Sequence, residues 1–240
     1  MDNFNKSELR VLREVSEKLP PVLPETLFEP CVYKEIKDER FEGIYDYTDE
    51  LIDEFIYLSG VYIAGGCLRN LLGGDDIVAD IDIFFRDSES LKKTIDLMSW
   101  YDETWYEAFR CPAGELITYK TVIDRAKEDI TKEDYKNQRK IQFITRNFYS
   151  SPKELINSFD FVPTCACLYE NILYTHPNWV KSVRKKVLNT HFMSYPVASI
   201  FRMMKYKDKG YIVPSESVIE MVTQINEAEL DEGRLALYID

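Results

Sequence analysis

The chain has 240 residues, with 30 Lys and Arg against 42 Asp and Glu, a formal charge of −12. Hydrophobic residues make up 45% and charged residues 30%, which excludes a disordered polyelectrolyte and predicts a folded chain with a real core. No run approaches the roughly 18 apolar residues of a membrane span, and the acid excess argues against a coat protein that binds nucleic acid over its whole surface.

The opening MDNFNKSELR is polar and acidic and predicts no secretory leader. Ser7 caps a short amphipathic helix over SELRVLREVSEKL, which Pro20 and Pro21 end. Residues 20–44 read as an irregular arm. Thr48 opens a helix through Ser59 with Gly60 as its stop. A short strand Val61–Ala64 follows, then Gly65-Gly66, then a helix through Cys67–Leu72, broken by Gly73-Gly74. Residues 79–85, ADIDIFF, alternate as a strand. The pattern then predicts a helix at Ser90–Trp100 and strands at Trp105–Arg110, Glu115–Thr121 and Lys140–Thr145, with an exposed charged stretch Asp124–Asn137. The Trp and Tyr residues of WYDETWYEAF read as core. Ser151, Pro152 and Glu154 form a helix start. Phe159–Leu168 reads as a strand that Pro163 weakens. From His176 onward the chain reads as helical, over Pro177–Asn189, Pro196–Lys209 and Ser215–Ala228. Met203 and Met204 read as core within the middle one.

Five cysteines (Cys31, Cys67, Cys111, Cys165 and Cys167) lack disulfide or zinc spacing, and with two histidines they predict a reducing, cytoplasmic setting without structural zinc. The charge is uneven. Residues 1–60 carry 15 acids and 7 bases, residues 181–209 carry eight bases and one acid, and residues 216–240 carry seven acids and one base. A basic island between acidic ends points to one local anionic partner.

The chemistry concentrates in 61-VYIAGGCLRNLLGGDDIVADIDIFFRD-87. On a strand, Asp80 and Asp82 share one face, roughly 6–7 Å apart at Cα, with Ile81, Ile83 and Phe85 on the other. Two carboxylates placed so repel unless a cation lies between them, and a hard ion such as Mg²⁺ suits oxygen ligands. A strand that runs into Gly65-Gly66 and opens a helix offers backbone N–H groups to a phosphate. Arg69, one turn on, adds a bidentate donor.

Gly65-Gly66-x-x-Arg69-Asn70 followed by Asp80-x-Asp82 resembles the head of the polymerase-β-type nucleotidyltransferases, in the branch of bacterial poly(A) polymerases and tRNA CCA-adding enzymes. Asn70 stands where that branch usually has Asp. Residues 196–214, PVASIFRMMKYKDKGYIVP, resemble the neck helix that follows the head, and the whole is similar to short stand-alone phage members of the branch.

The resemblance implies an α+β fold, a mixed sheet flanked by helices and followed by a helical neck. The expected domains are an arm over 1–44, the head over 45–175 and the neck over 176–240. It implies a template-independent transferase that moves a nucleoside monophosphate from an NTP to an acceptor hydroxyl with two Mg²⁺ ions. Asp80, Asp82 and a third carboxylate on a neighbouring strand would hold the metals. Asp160 is the expected third, with Asp124 as runner-up. Gly65, Gly66, Arg69, Arg202 and Lys205 would bind the nucleotide. Lys181, Arg184 and Lys185 would meet an RNA 3′ end as acceptor. A protein or small-molecule acceptor, or a silent binding module, are the alternatives.

Overall fold

The computed structural model describes residues 54–55, 57–70, 80–121, 138–170 and 172–225, together with the backbone of 29–32, 71–73 and 226–227. The expected N-terminal helix, most of the 48–59 helix and the 124–137 stretch lie outside the described residues. So do the other parts of the arm and the last residues of the chain.

Among the described residues eight strands form one sheet. They are β1 (Glu29–Val32), β2 (Val61–Ala64), β3 (Asp80–Phe85), β4 (Trp105–Arg110), β5 (Leu116–Thr121), β6 (Lys140–Phe148), β7 (Ala166–Tyr169) and β8 (Ile172–Thr175). The order across the sheet is β1-β8-β7-β2-β3-β6-β5-β4. The β3–β6 pair is parallel and every other pair is antiparallel, which makes the sheet mixed. The described helices are α1 (Gly66–Gly73), α2 (Ser88–Met98), α3 (Pro152–Asn157), α4 (Trp179–Arg184), α5 (Pro196–Asp208) and α6 (Ser215–Glu227). The fold is α+β, as expected.

The chain divides into two compact units. One comprises Phe28–Ile156 and Thr164–His176 and holds the whole sheet; the other comprises Asn157–Pro163 and the chain from Pro177 onward, and is mainly helical. In the sheet unit the two-residue period of β3 buries Ile81, Ile83 and Phe85. Phe143 of β6 gathers the rings of Phe85, Tyr119 and Phe55, with centroids 5.3, 5.0 and 6.0 Å away. Gly60 has φ +84°, and a Cβ there would stand 2.2 Å from Ser90 Oγ, so the chain enters β2 at a place only glycine fits. Asp87 caps α2 by accepting hydrogen bonds from the Ser90 amide and hydroxyl, each at 2.8 Å. Ser151 Oγ accepts from the Glu154 amide at 3.2 Å, and Glu154 Oε2 accepts from the Ser150 amide at 2.7 Å, a start for α3 close to the one expected.

In the helical unit Phe161, Leu188, Met193, Tyr206, Tyr211 and Met221 form the core. Met203 packs against this cluster, but Met204 is 55% exposed and is not core.

Other expectations also need correction. Phe159–Leu168 is not one strand: Phe161 makes an isolated bridge to Thr190, Val162–Thr164 form a 3-10 turn, and only Ala166–Tyr169 are strand. Strand β8 was not expected, nor was β1 within the arm. The helix foreseen over Pro177–Asn189 stops at Arg184, because Lys186 takes a left-handed φ of 50° and Val187 turns to bridge Ile212. Of the 100–109 aromatics only Trp105 is core, whereas Trp100, Tyr106 and Phe109 are exposed.

Candidate active site

Asp80 and Asp82 lie at alternate positions of β3, partly exposed, while Ile81 and Ile83 are buried. Asp82 is in register with Ala64, the last residue of β2, so the turn into α1 begins beside it. Gly65 makes that turn with φ +84°, and its amide donates to Ala166 O on β7 at 3.2 Å. This engagement corrects the expectation that both glycine amides face a phosphate. The donors that the helix start presents are the amides of Gly66, Cys67 and Leu68.

Arg69 is 6% exposed, and its Nε donates to Asn70 Oδ1 at 3.0 Å, with a second donation from Nη2 to the same oxygen. Asn70 therefore orients Arg69. Burial, and then the charge of Asp80, push the Asp82 carboxyl up to about 7, while the positive charge of Arg69 pulls it down. Cys67 is a buried filler whose thiol is pushed up to about 12 by burial and by Asp82, so it is not a reactive thiol.

Sequence reasoning missed Lys140. It is the register partner of Asp80 on β6, and its Nζ lies 3.1 Å from Asp80 Oδ1. That oxygen is buried and meets the ammonium as an ion contact rather than through a directed hydrogen bond. Gln142 is the partner of Asp82 in the same way. The signal was present, because Lys140 and Gln142 alternate with Ile141 and Phe143 as Asp80 and Asp82 alternate with Ile81 and Ile83.

No carboxylate stands opposite the pair on either neighbouring strand, where the partners are Ala64, Lys140 and Gln142. Among the described residues no group of three or more His, Cys, Asp and Glu is placed to hold a metal. Asp160, expected on a strand, lies instead at a bend of the helical unit. It is buried, and its Oδ2 accepts from Arg202 Nη1 at 2.6 Å and Ser199 Oγ at 3.0 Å. Burial raises its carboxyl above the ordinary range, against the lowering pull of Arg202 and Ser199. Asp124 lies outside the described residues. Lys205, Lys181, Arg184 and Lys185 are all exposed in the helical unit, on α5, on α4 and at the end of α4.

The donor set suits a hard divalent cation: two oxygen ligands on one strand face, one with its carboxyl raised first by burial and then by the other's charge, both of which a bound cation would offset. No described helix is long and apolar enough to cross a membrane.

A family model described as Gabija anti-defense 2 family protein matches residues 34–186. A curated protein named Gabija anti-defense 2, from Bacillus phage SPbetaL7, is 27% identical over 182 residues, which is 75% of this chain and 40% of that protein. Among solved structures, the complex of a CCA-adding enzyme with ATP has a TM-score of 0.55 at 15% identity, over 89% of this chain and 51% of that one. The complex of a CCA-adding enzyme with CTP has a TM-score of 0.51 at 14% identity, over 85% of this chain and 47% of that one. The chain thus spans 40% of the curated relative and about half of these enzymes. The structural likeness shows that this chain shares the fold of those two enzymes.

Proposed function

The chain belongs to the Gabija anti-defense 2 family, and from that premise we propose that it is a nucleotidyltransferase moving a nucleoside monophosphate from an NTP to an acceptor hydroxyl. The observation that carries this reading is Asp80 and Asp82 on one face of β3, with Asp82 in register beside the turn that opens α1.

Asp80 and Asp82 would hold Mg²⁺, which neutralises phosphate charge and acidifies the acceptor hydroxyl. Arg69, fixed by Asn70, donates to a phosphate oxygen, and the first-turn amides of α1 donate to others. These donors are set before substrate arrives, so little reorganisation opposes the transfer. Asp160 serves Arg202 rather than a metal, since its Oδ2 is taken up by the guanidinium and by Ser199. Lys205 remains a nucleotide-binding candidate on α5.

An RNA 3′ end is the acceptor that the exposed Lys181, Arg184 and Lys185 favour, because a flexible polyanion is met by solvent-facing cations. The family description favours a second reading, in which the acceptor is a hydroxyl on a protein of the defence system. Incubation with each α-³²P-labelled NTP, Mg²⁺, cellular RNA and cell protein tests both, with Asp80→Asn/Asp82→Asn as control. Label in RNA that the variant loses supports the first acceptor, and label in protein supports the second. No variant-sensitive label with any nucleotide would overturn the transfer reading.

A further inference from the structure

The carboxylate face of the sheet does not end at Asp80. Register partners lie on one side of a sheet, and the row that starts at Asp80 runs through Lys140 on β6 and Lys120 on β5 to Tyr106 on β4. The adjacent row runs from Asp82 through Gln142 to Thr118. An acidic pair therefore borders two lysines on neighbouring strands, and Lys140 stands between a carboxylate and a like charge.

Like charges in direct register repel. Lys120 thus opposes Lys140 on one side while Asp80 attracts it on the other, which accounts for the 3.1 Å contact between Lys140 Nζ and Asp80 Oδ1. The pair is weakly held, with side chains 38% and 42% exposed, so an incoming charge can displace it. A divalent cation on Asp80 would face the Lys140 ammonium at short range. A cation that arrives with phosphates brings a new partner for that ammonium, and Lys120 lies beside it.

Resting on the nucleotidyltransferase reading, we propose that Lys140 is the counter-ion of Asp80 in the empty site and moves to a phosphate oxygen, beside Lys120, when metal and nucleotide enter together. Lys140 makes the site poor at holding the bare metal and good at holding the metal–triphosphate complex. It sets the order and selectivity of binding and takes no part in bond making.

The test measures Mn²⁺ binding by electron paramagnetic resonance, with and without α,β-methylene-ATP, on the full chain. Lys140→Gln should bind Mn²⁺ alone about two- to fivefold more tightly than wild type, the range that an exposed ion pair is worth. The same variant should bind α,β-methylene-ATP about fivefold more weakly at saturating Mn²⁺. Lys140→Met carries the same expectation and serves if the glutamine variant does not fold. Lys120→Gln should weaken the nucleotide without tightening the bare metal. Mn²⁺ binding that Asp82→Asn abolishes, but that both Lys140 variants leave unchanged or weaker, overturns this inference alone. Wild-type Mn²⁺ binding that does not depend on Asp82 overturns the site itself, and the inference with it.

Discussion

Arg69 and Asn70 are consecutive in the chain and hydrogen-bonded through their side chains, with Arg69 Nε donating to Asn70 Oδ1 at 3.0 Å. The acceptor this needs is an oxygen, which Asn and Asp both supply, so the amide at this position keeps the function of orienting the guanidinium. Asn70→Asp should leave nucleotide binding near wild type, whereas Asn70→Ala should weaken it about tenfold, the scale of one hydrogen bond to a charged group. Titration of a fluorescent NTP analogue checks both, and equal losses in the two variants would refute the orienting role.

Arg202 and Asp160 make an asymmetric pair, a half-exposed cation on a buried carboxylate. Removing Arg202 strands that carboxylate, so Arg202→Met should cost about 2–4 kcal/mol at neutral pH. The loss should shrink on acidification: the folded-state carboxyl is raised, so the unfolded chain ionises first and the penalty grows as pH rises above the ordinary 3.8. Asp160→Asn in the Arg202→Met background should restore much of the stability, a non-additive result that chemical denaturation at two pH values would reveal.

Asp87 behaves in the opposite sense. Its carboxyl is held down at about 2, first by the Ser90 amide and then by Arg86 and the Ser90 hydroxyl. A depressed folded value means that the contribution is complete above the ordinary 3.8 and is lost as pH falls through about 2. Asp87→Ala should cost about 1 kcal/mol at pH 7, the usual value of a helix cap. The difference from wild type should fade below pH 4, as urea titrations across that range would show.

Gly60→Ala should be the most damaging small substitution near the sheet. It forces a Cβ to 2.2 Å from Ser90 Oγ and into a left-handed backbone, and it displaces the hydroxyl that supports the Asp87 cap. A loss of about 2–4 kcal/mol follows from strain, clash and cap together. Ser90→Gly in the same chain should recover the steric part, and thermal melts of the single and double variants measure it.

Much of the sheet was legible because its period is local. The DIDIFF alternation gives β3 and its carboxylate face, and Gly65-Gly66 gives the turn into α1. What stayed hidden depends on pairing between distant segments or on backbone conformation that residue type does not announce. Strand β8 pairs antiparallel with β7, and Glu170 at the end of β7 takes φ 48° in a stretch without the glycine that usually marks a hairpin. Helix α4 ends where Lys186, also not glycine, turns left-handed. Asp160 could be read as a strand carboxylate because Phe161 and Val162 beside it are apolar, and only the return of α5 identifies Arg202 as its partner. Lys140 alternates visibly on its own strand, but nothing local says that Asp80 is what it faces.

The parallel joint between β3 and β6 sets when this site can exist. Asp80 and Lys140 are 60 positions apart in the chain, and helix α2 and the β4–β5 hairpin lie between them. During synthesis the turn into α1 and the acidic strand emerge first, with the counter-ion still to be made. Closing so long a loop is slow compared with forming the β4–β5 hairpin. The carboxylate face is therefore completed after the β4–β5 hairpin but before the still longer loops that join β7 to β2 and β8 to β1, and a fragment ending before β6 would carry both carboxylates without the lysine that balances them.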